Sequence, residues 1–129
     1  MTRKLPTWRR RLLGGAGIVT TQGAYPDPKG EGKGFKGMMA IYDDRFIPGL
    51  ARIASVIKQH GALSCLQILH CGREGGVDLD YSLMASVVPQ KLSYFKTPKE
   101  ITNRRDKESP SKNILRLLRR AKDAGFRHD

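Results

Sequence analysis

Two short apolar runs, residues 16–24 (AGIVTTQGA) and 63–69 (LSCLQIL), flank one amphipathic segment, and that order leaves the chain few folds. The first run is β-branched and bounded by glycines and Pro26. It reads as a strand buried on both faces, as in a parallel sheet. Between the runs, Asp43 or Asp44 can cap a helix by accepting from a free backbone N–H of its first turn. Phe46, Leu50, Ile53 and Ile57, with Ile47 and Ala54 beside them, form an apolar stripe at helical spacing. Pro48 falls early enough to be tolerated, His60 suits the negative end of the helix dipole, and Gly61 stops the helix. Strand, helix, strand with short joints is a βαβ unit, which requires parallel pairing and a right-handed crossover.

The rest is thinner. Residues 74–98 read as a long irregular connection. Thr102 is positioned to cap a second helix, whose stripe is Ile114, Leu117, Leu118 and Ala121, with Gly125 as its stop. No third strand follows before Asp129. The reading is an incomplete α/β architecture, about two βα units, too few to cover a sheet or close a barrel.

Chemistry concentrates in two places. Residues 32–37 (GKGFKG) match G-x-G-x-x-G, but the flanking strand and helix lie several residues away, so the stretch reads as a mobile surface loop. Residues 66–73 (LQILHCGR) hold the second. Cys65 and Cys71 are six apart, roughly 20 Å along a strand, and no paired ligand spacing supports them, so no metal site is expected. His70 and Arg73 give Cys71 an electropositive setting, which leaves a reactive thiol open. By strand parity Cys65, Gln67 and Leu69 point one way, and Leu66 and Ile68 the other. Gln67 then sits near the carboxyl end of a parallel strand, where α/β folds place ligands. Its amide can either read an N–C=O ring edge or be satisfied by backbone within a core.

The net charge of +12 suggests nucleic acid until it is located. Five basic and no acidic residues occupy 1–12, eleven and five occupy 96–129, and eight and seven lie between. The excess sits at the ends, so a small basic protein binding nucleic acid or an anionic surface is the alternative reading. No secretory signal and no bilayer-spanning run is present, and two cysteines without a signal suit reduced thiols in the cytoplasm.

LQILHCGR resembles the L-Q-[IL]-x-H-x-G-R segment of the Old Yellow Enzyme family, especially its 2,4-dienoyl-CoA reductase and 2-enoate reductase branch. Three further stretches agree in order: GGAGIVTTQGAYPDPKGEG, MMAIYDDRFIPGLARIASVIKQHGA, and PKEIT followed by RRAKDAGF. The resemblance implies a TIM (β/α)8 barrel, here partial, carrying FMN at the carboxyl ends of its strands. It implies NADH or NADPH as reductant and an enone or enoyl-type alkene as hydride acceptor. Gln67 matches the glutamine that hydrogen-bonds the flavin pyrimidine edge. Thr21 falls where the family has a small residue whose backbone approaches the ring. No catalytic role is carried over for His70, Gly72 or Arg73. The implied division is a divergent basic segment 1–13, a partial FMN-dependent domain 14–126 and a tail 127–129. The family's first strand, its anion-stabilising pair, proton-donating tyrosine and phosphate-binding glycines have no counterpart here, and Pro110 departs from the family helix. A truncated or frame-disrupted gene is therefore expected, inactive alone and prone to aggregate or to need a complementing chain.

Overall fold

The computed structural model describes residues 10, 12–88, 96–101 and 104–126, with side chains from 114 onward in the last stretch. Among the described residues six short strands form three parallel pairs: β1 (Ile18–Thr20) with β4 (Leu63–Cys65), β2 (Ala24–Tyr25) with β3 (Met39–Ala40), and β5 (Tyr81–Met84) with β6 (Thr97–Glu100). A bridge from Ala24 to Ile68 carries the first pairing onward, so β1, β2 and the 63–69 run act as neighbouring lines. The architecture is α/β with parallel strands, as expected. The 74–98 connection is corrected: β5 lies within it and β6 begins there.

Helix α1 (Ile47–Gln59) follows a single 3₁₀ turn over Asp44–Phe46. Asp43 is the cap of that turn, its Oδ1 accepting the Arg45 N–H at 2.9 Å. Pro48 falls in the first turn of α1, where its missing N–H costs nothing. At the other end Gly61 takes φ +78°, and His60 Nδ1 lies 2.8 Å from the Val56 carbonyl, a local end-of-helix contact.

Helix α2 (Arg104–Asp123) runs through Pro110. Thr102, its expected cap, lies outside the described residues. Gly125 (φ +83°) ends it in a Schellman arrangement: Phe126 N donates to Ala121 O at 3.0 Å and Gly125 N to Lys122 O at 2.8 Å. Phe126 is buried, closing the motif with an apolar contact.

Helices α1 and α2 cover the same side of the strands. Leu50, Ala54, Leu117, Ala121, Ala124 and Phe126 form one core with Ala24 and Ile41, against which Leu66 and Ile68 pack. Leu12, Val19, Ile57 and Ala62 form a second. The other side is open, which overturns the expectation that the 16–24 run is buried on both faces. Val19 is buried, but its neighbour Ile18 is 64% exposed and Leu63, paired with it, is 47% exposed. The α2 stripe is likewise narrower than expected: Leu117 and Ala121 are buried, while Ile114 and Leu118 are exposed.

Arg119 and Arg120 reach from α2 to Asp44 at the start of α1, with contacts of 2.9 and 2.5 Å. The Arg120 hydrogen bond, then that of Arg119, holds the Asp44 carboxyl below its ordinary value. A carboxyl depressed by folding contributes stability that is present above its unfolded pKa of about 3.9 and is lost as pH falls through the folded value. Acid titration followed by tryptophan-independent far-UV circular dichroism is expected to show Asp44→Asn insensitive to this step below about pH 4. The effect is small because the pair is solvated. A wild-type acid profile identical to that of the variant would contradict it.

Candidate functional site

The carboxyl ends of β1 and β4 do not pair in simple register. Thr20 faces Cys65, but Ala24 faces Ile68, so the 18–25 line carries one more residue than its partner over this interval. That is a β-bulge, centred on 21–23, at the strand ends where ligands are bound in parallel α/β folds. Gly23 permits it, because a Cβ there would lie 2.6 Å from Leu69 Cδ2.

Gln67 sits opposite the bulge. Its side chain is exposed, on the side away from the helices, with Leu69 beside it and Cys65 half-buried. Leu66 and Ile68 turn toward the helical core, so the parity expected from sequence holds through the bulge. Among the described residues, nothing hydrogen-bonds the Gln67 side-chain amide. Its backbone is held: Gln67 N donates to Thr21 Oγ1 at 3.3 Å, and Gln67 O accepts from Ala24 N at 2.8 Å. Thr21 is thus brought next to Gln67, in contact through its hydroxyl.

The glycine-rich loop is corrected from a mobile surface loop to a pinned one. Asp27 accepts the N–H groups of Glu31 and Gly32, each at 2.7 Å. Cys71 N donates to Gly32 O at 3.0 Å, and Val77 N donates to Lys33 O at 3.1 Å. Tyr81 Oη donates to Glu31 at 2.8 Å, and Lys33 meets Asp78 at 2.6 Å. The glycines answer to packing: a Cβ at Gly32 would meet the His70 ring at 2.6 Å, and one at Gly34 would meet Cys71 Sγ at 2.5 Å. The loop therefore lies over the segment that follows Gln67 and walls the strand ends. The turn signal in DPKG could have shown Asp27 as its organiser; its distant partners could not be read.

His70 accepts the Gly72 N–H on Nδ1 at 3.0 Å, which leaves Nε2 facing Asp27 Oδ2 at 3.9 Å. Burial, then Glu74, pushes the Cys71 thiol up, opposite to the electropositive setting expected and unfavourable to thiolate chemistry. Among the described residues no group of three or more His, Cys, Asp or Glu could hold a metal ion. A cleft of about 370 Å³, bordered by His70, Arg73, Met84 and Ile101, opens beyond the strand end. A larger hollow of about 500 Å³ lies between the helices, away from these groups. No helix among the described residues is long and apolar enough to cross a membrane.

A family model described as NADH:flavin oxidoreductase / NADH oxidase matches residues 5–127. A metal reductase of Desulforamulus reducens is 35% identical over 121 residues, covering 92% of this chain and 17% of that protein. An NADPH dehydrogenase of Geobacillus sp. is 36% identical over 88 residues, covering 68% of this chain and 25% of that protein. Among solved structures, a 2-naphthoyl-CoA reductase in complex with 2-naphthoyl-CoA superposes with TM-score 0.82 at 25% identity, over 92% of this chain and 20% of that one. Morphinone reductase shares the fold, with TM-score 0.69 at 18% identity over 89% of this chain and 36% of that one. The chain thus spans 17% to 36% of the length of these four proteins.

Proposed function

The chain belongs to the NADH:flavin oxidoreductase / NADH oxidase family, the Old Yellow Enzyme-like flavoenzymes, and on that premise we propose that it forms one wall of an FMN site for ene reduction. The family's cofactor is FMN, with NADH or NADPH as reductant. When bound, the reduced flavin supplies a hydride to the β-carbon of an activated alkene. The carrying observation is Gln67: an exposed amide at the carboxyl end of parallel strands, unpartnered among the described residues and facing away from the helices. Its two N–H donors and one carbonyl acceptor complement the N–C=O edge of the flavin pyrimidine. The Thr21 backbone, one strand over, would approach the ring plane. Leu69, exposed beside Gln67 at the same strand end, would offer the ring an apolar contact.

In this reading residues 14–126 are part of a (β/α)8 barrel, and the open face of β1 and β4 is the side turned toward the rest of that barrel. The acceptor is an enone or enoyl-type compound, a class supported by the acyl-CoA ligand of the naphthoyl-CoA reductase. Gel filtration of the 129-residue chain with FMN tests the partial site. One wall alone binds FMN weakly and reversibly, so the flavin is expected to dissociate on the column and leave no NADH-bleachable absorbance in the protein peak, although titration at high FMN concentration still saturates the site. A stoichiometric yellow protein peak that NADH bleaches would overturn it.

A further inference from the structure

The bulge at 21–23 leaves Gln67 without the backbone acceptor that regular register would give its N–H, and a side chain stands in that place. We propose that Thr21 is a positioning residue, its hydroxyl closing the ladder at the bulge and fixing the direction of the Gln67 amide. This rests on the flavin-edge role of Gln67 and deepens it.

The hydroxyl is committed. Thr21 Oγ1 donates to Gln22 O at 2.9 Å, so its proton points along its own strand and its lone pairs are left for Gln67 N at 3.3 Å. Three residues on, Ala24 N donates to Gln67 O at 2.8 Å. The Gln67 backbone is therefore clasped at both ends by residues flanking the extra one, with Gly23 pressed against Leu69 between them. A side chain grows from a backbone whose orientation is set by those two bonds. If the Thr21 bond is lost, the N–H at Gln67 opens to water and its χ1 axis is free to tilt. Val19, on the helical face of the same strand, makes no comparable contact, so the effect is local to the strand ends.

The experiment uses the full 129-residue chain as wild type, Thr21→Val and Thr21→Ser, and reads amide exchange by ¹⁵N NMR together with FMN titration. Thr21→Val keeps the shape and removes the acceptor. It is expected to speed exchange at the Gln67 amide about tenfold, the ratio that a hydrogen bond of typical net strength sustains, while the Val19 and Leu63 amides keep their rates. Thr21→Ser is expected to restore the wild-type rate. FMN affinity should weaken by a similar factor in Thr21→Val and recover in Thr21→Ser. An unchanged Gln67 exchange rate in Thr21→Val overturns the proposal, and so does lost protection with unchanged FMN affinity where Gln67→Leu lowers that affinity. If Gln67→Leu itself leaves FMN binding unaltered, the flavin-edge reading fails, and the exchange rates still decide whether the hydroxyl holds the backbone.

Discussion

Gly75→Ala will dislodge the glycine-rich loop and destabilise the strand-end wall by about 1–3 kcal/mol, the usual cost of forcing extra atoms into a packed site. The added Cβ would fall 2.2 Å from Glu31 O and 3.0 Å from Gly72 O. Both are backbone atoms, so no flexible side chain can swing aside, and the loop must move. Conformation is not the cause, since Gly75 has φ −82°, which alanine adopts freely. Glu31 also holds Tyr81, so displacing its peptide loosens the hydrogen bond that ties the loop to β5. Gly17→Ala is the control, because nothing lies within 4 Å of a Cβ there. Urea unfolding should separate the two variants, with the Gly17 variant near wild type. Equal midpoints would mean that the loop is not packed as described.

Ile57→Ala should be more damaging still. Ile57 is fully buried and joins α1 to Val19 of β1, with Leu12 and Ala62 around it. Removing a buried isoleucine to alanine typically costs about 2–5 kcal/mol, transfer and cavity terms together. A small domain holds about 5–15 kcal/mol in all, and the described residues leave one sheet face open, so the variant is expected to be largely unfolded at 37 °C. A loss below about 1 kcal/mol would contradict the packing of α1 on the sheet.

How far the sequence disclosed this arrangement depended on how local each determinant is. The helix at 47–59 and its Gly61 stop were readable because such signals act within one turn, whereas the Asp43 cap serves the 3₁₀ turn ahead of it and α1 itself starts after Phe46 with no side-chain cap. The parity at Leu66, Gln67 and Ile68 was readable for the same reason. Burial of the 16–24 run was misjudged because an apolar composition reports what a strand can be buried against. Ile18 and Leu63 face a side that the described residues leave open. The loop glycines were misread because His70, Cys71 and Gly75 lie some forty residues away in sequence, beyond any local pattern. β6 was missed because TPKE carries no apolar alternation and is held by pairing with β5. The bulge was invisible for a similar reason, since one extra residue in a ladder changes register and leaves composition untouched.

The central claim is that the Gln67 amide meets the flavin pyrimidine edge. It is tested most directly by following the Gln67 side-chain NH₂ resonances of the ¹⁵N-labelled chain during titration with FMN. A saturable shift of those two signals in the wild-type chain, with at least a tenfold loss of FMN affinity in Gln67→Leu, is the result predicted, since about 1.4 kcal/mol separates the presence and absence of such a contact. Because the side chain is exposed, the variant should unfold at the wild-type urea midpoint. Side-chain resonances that stay fixed while FMN binds, with affinity unchanged in Gln67→Leu, would contradict the account.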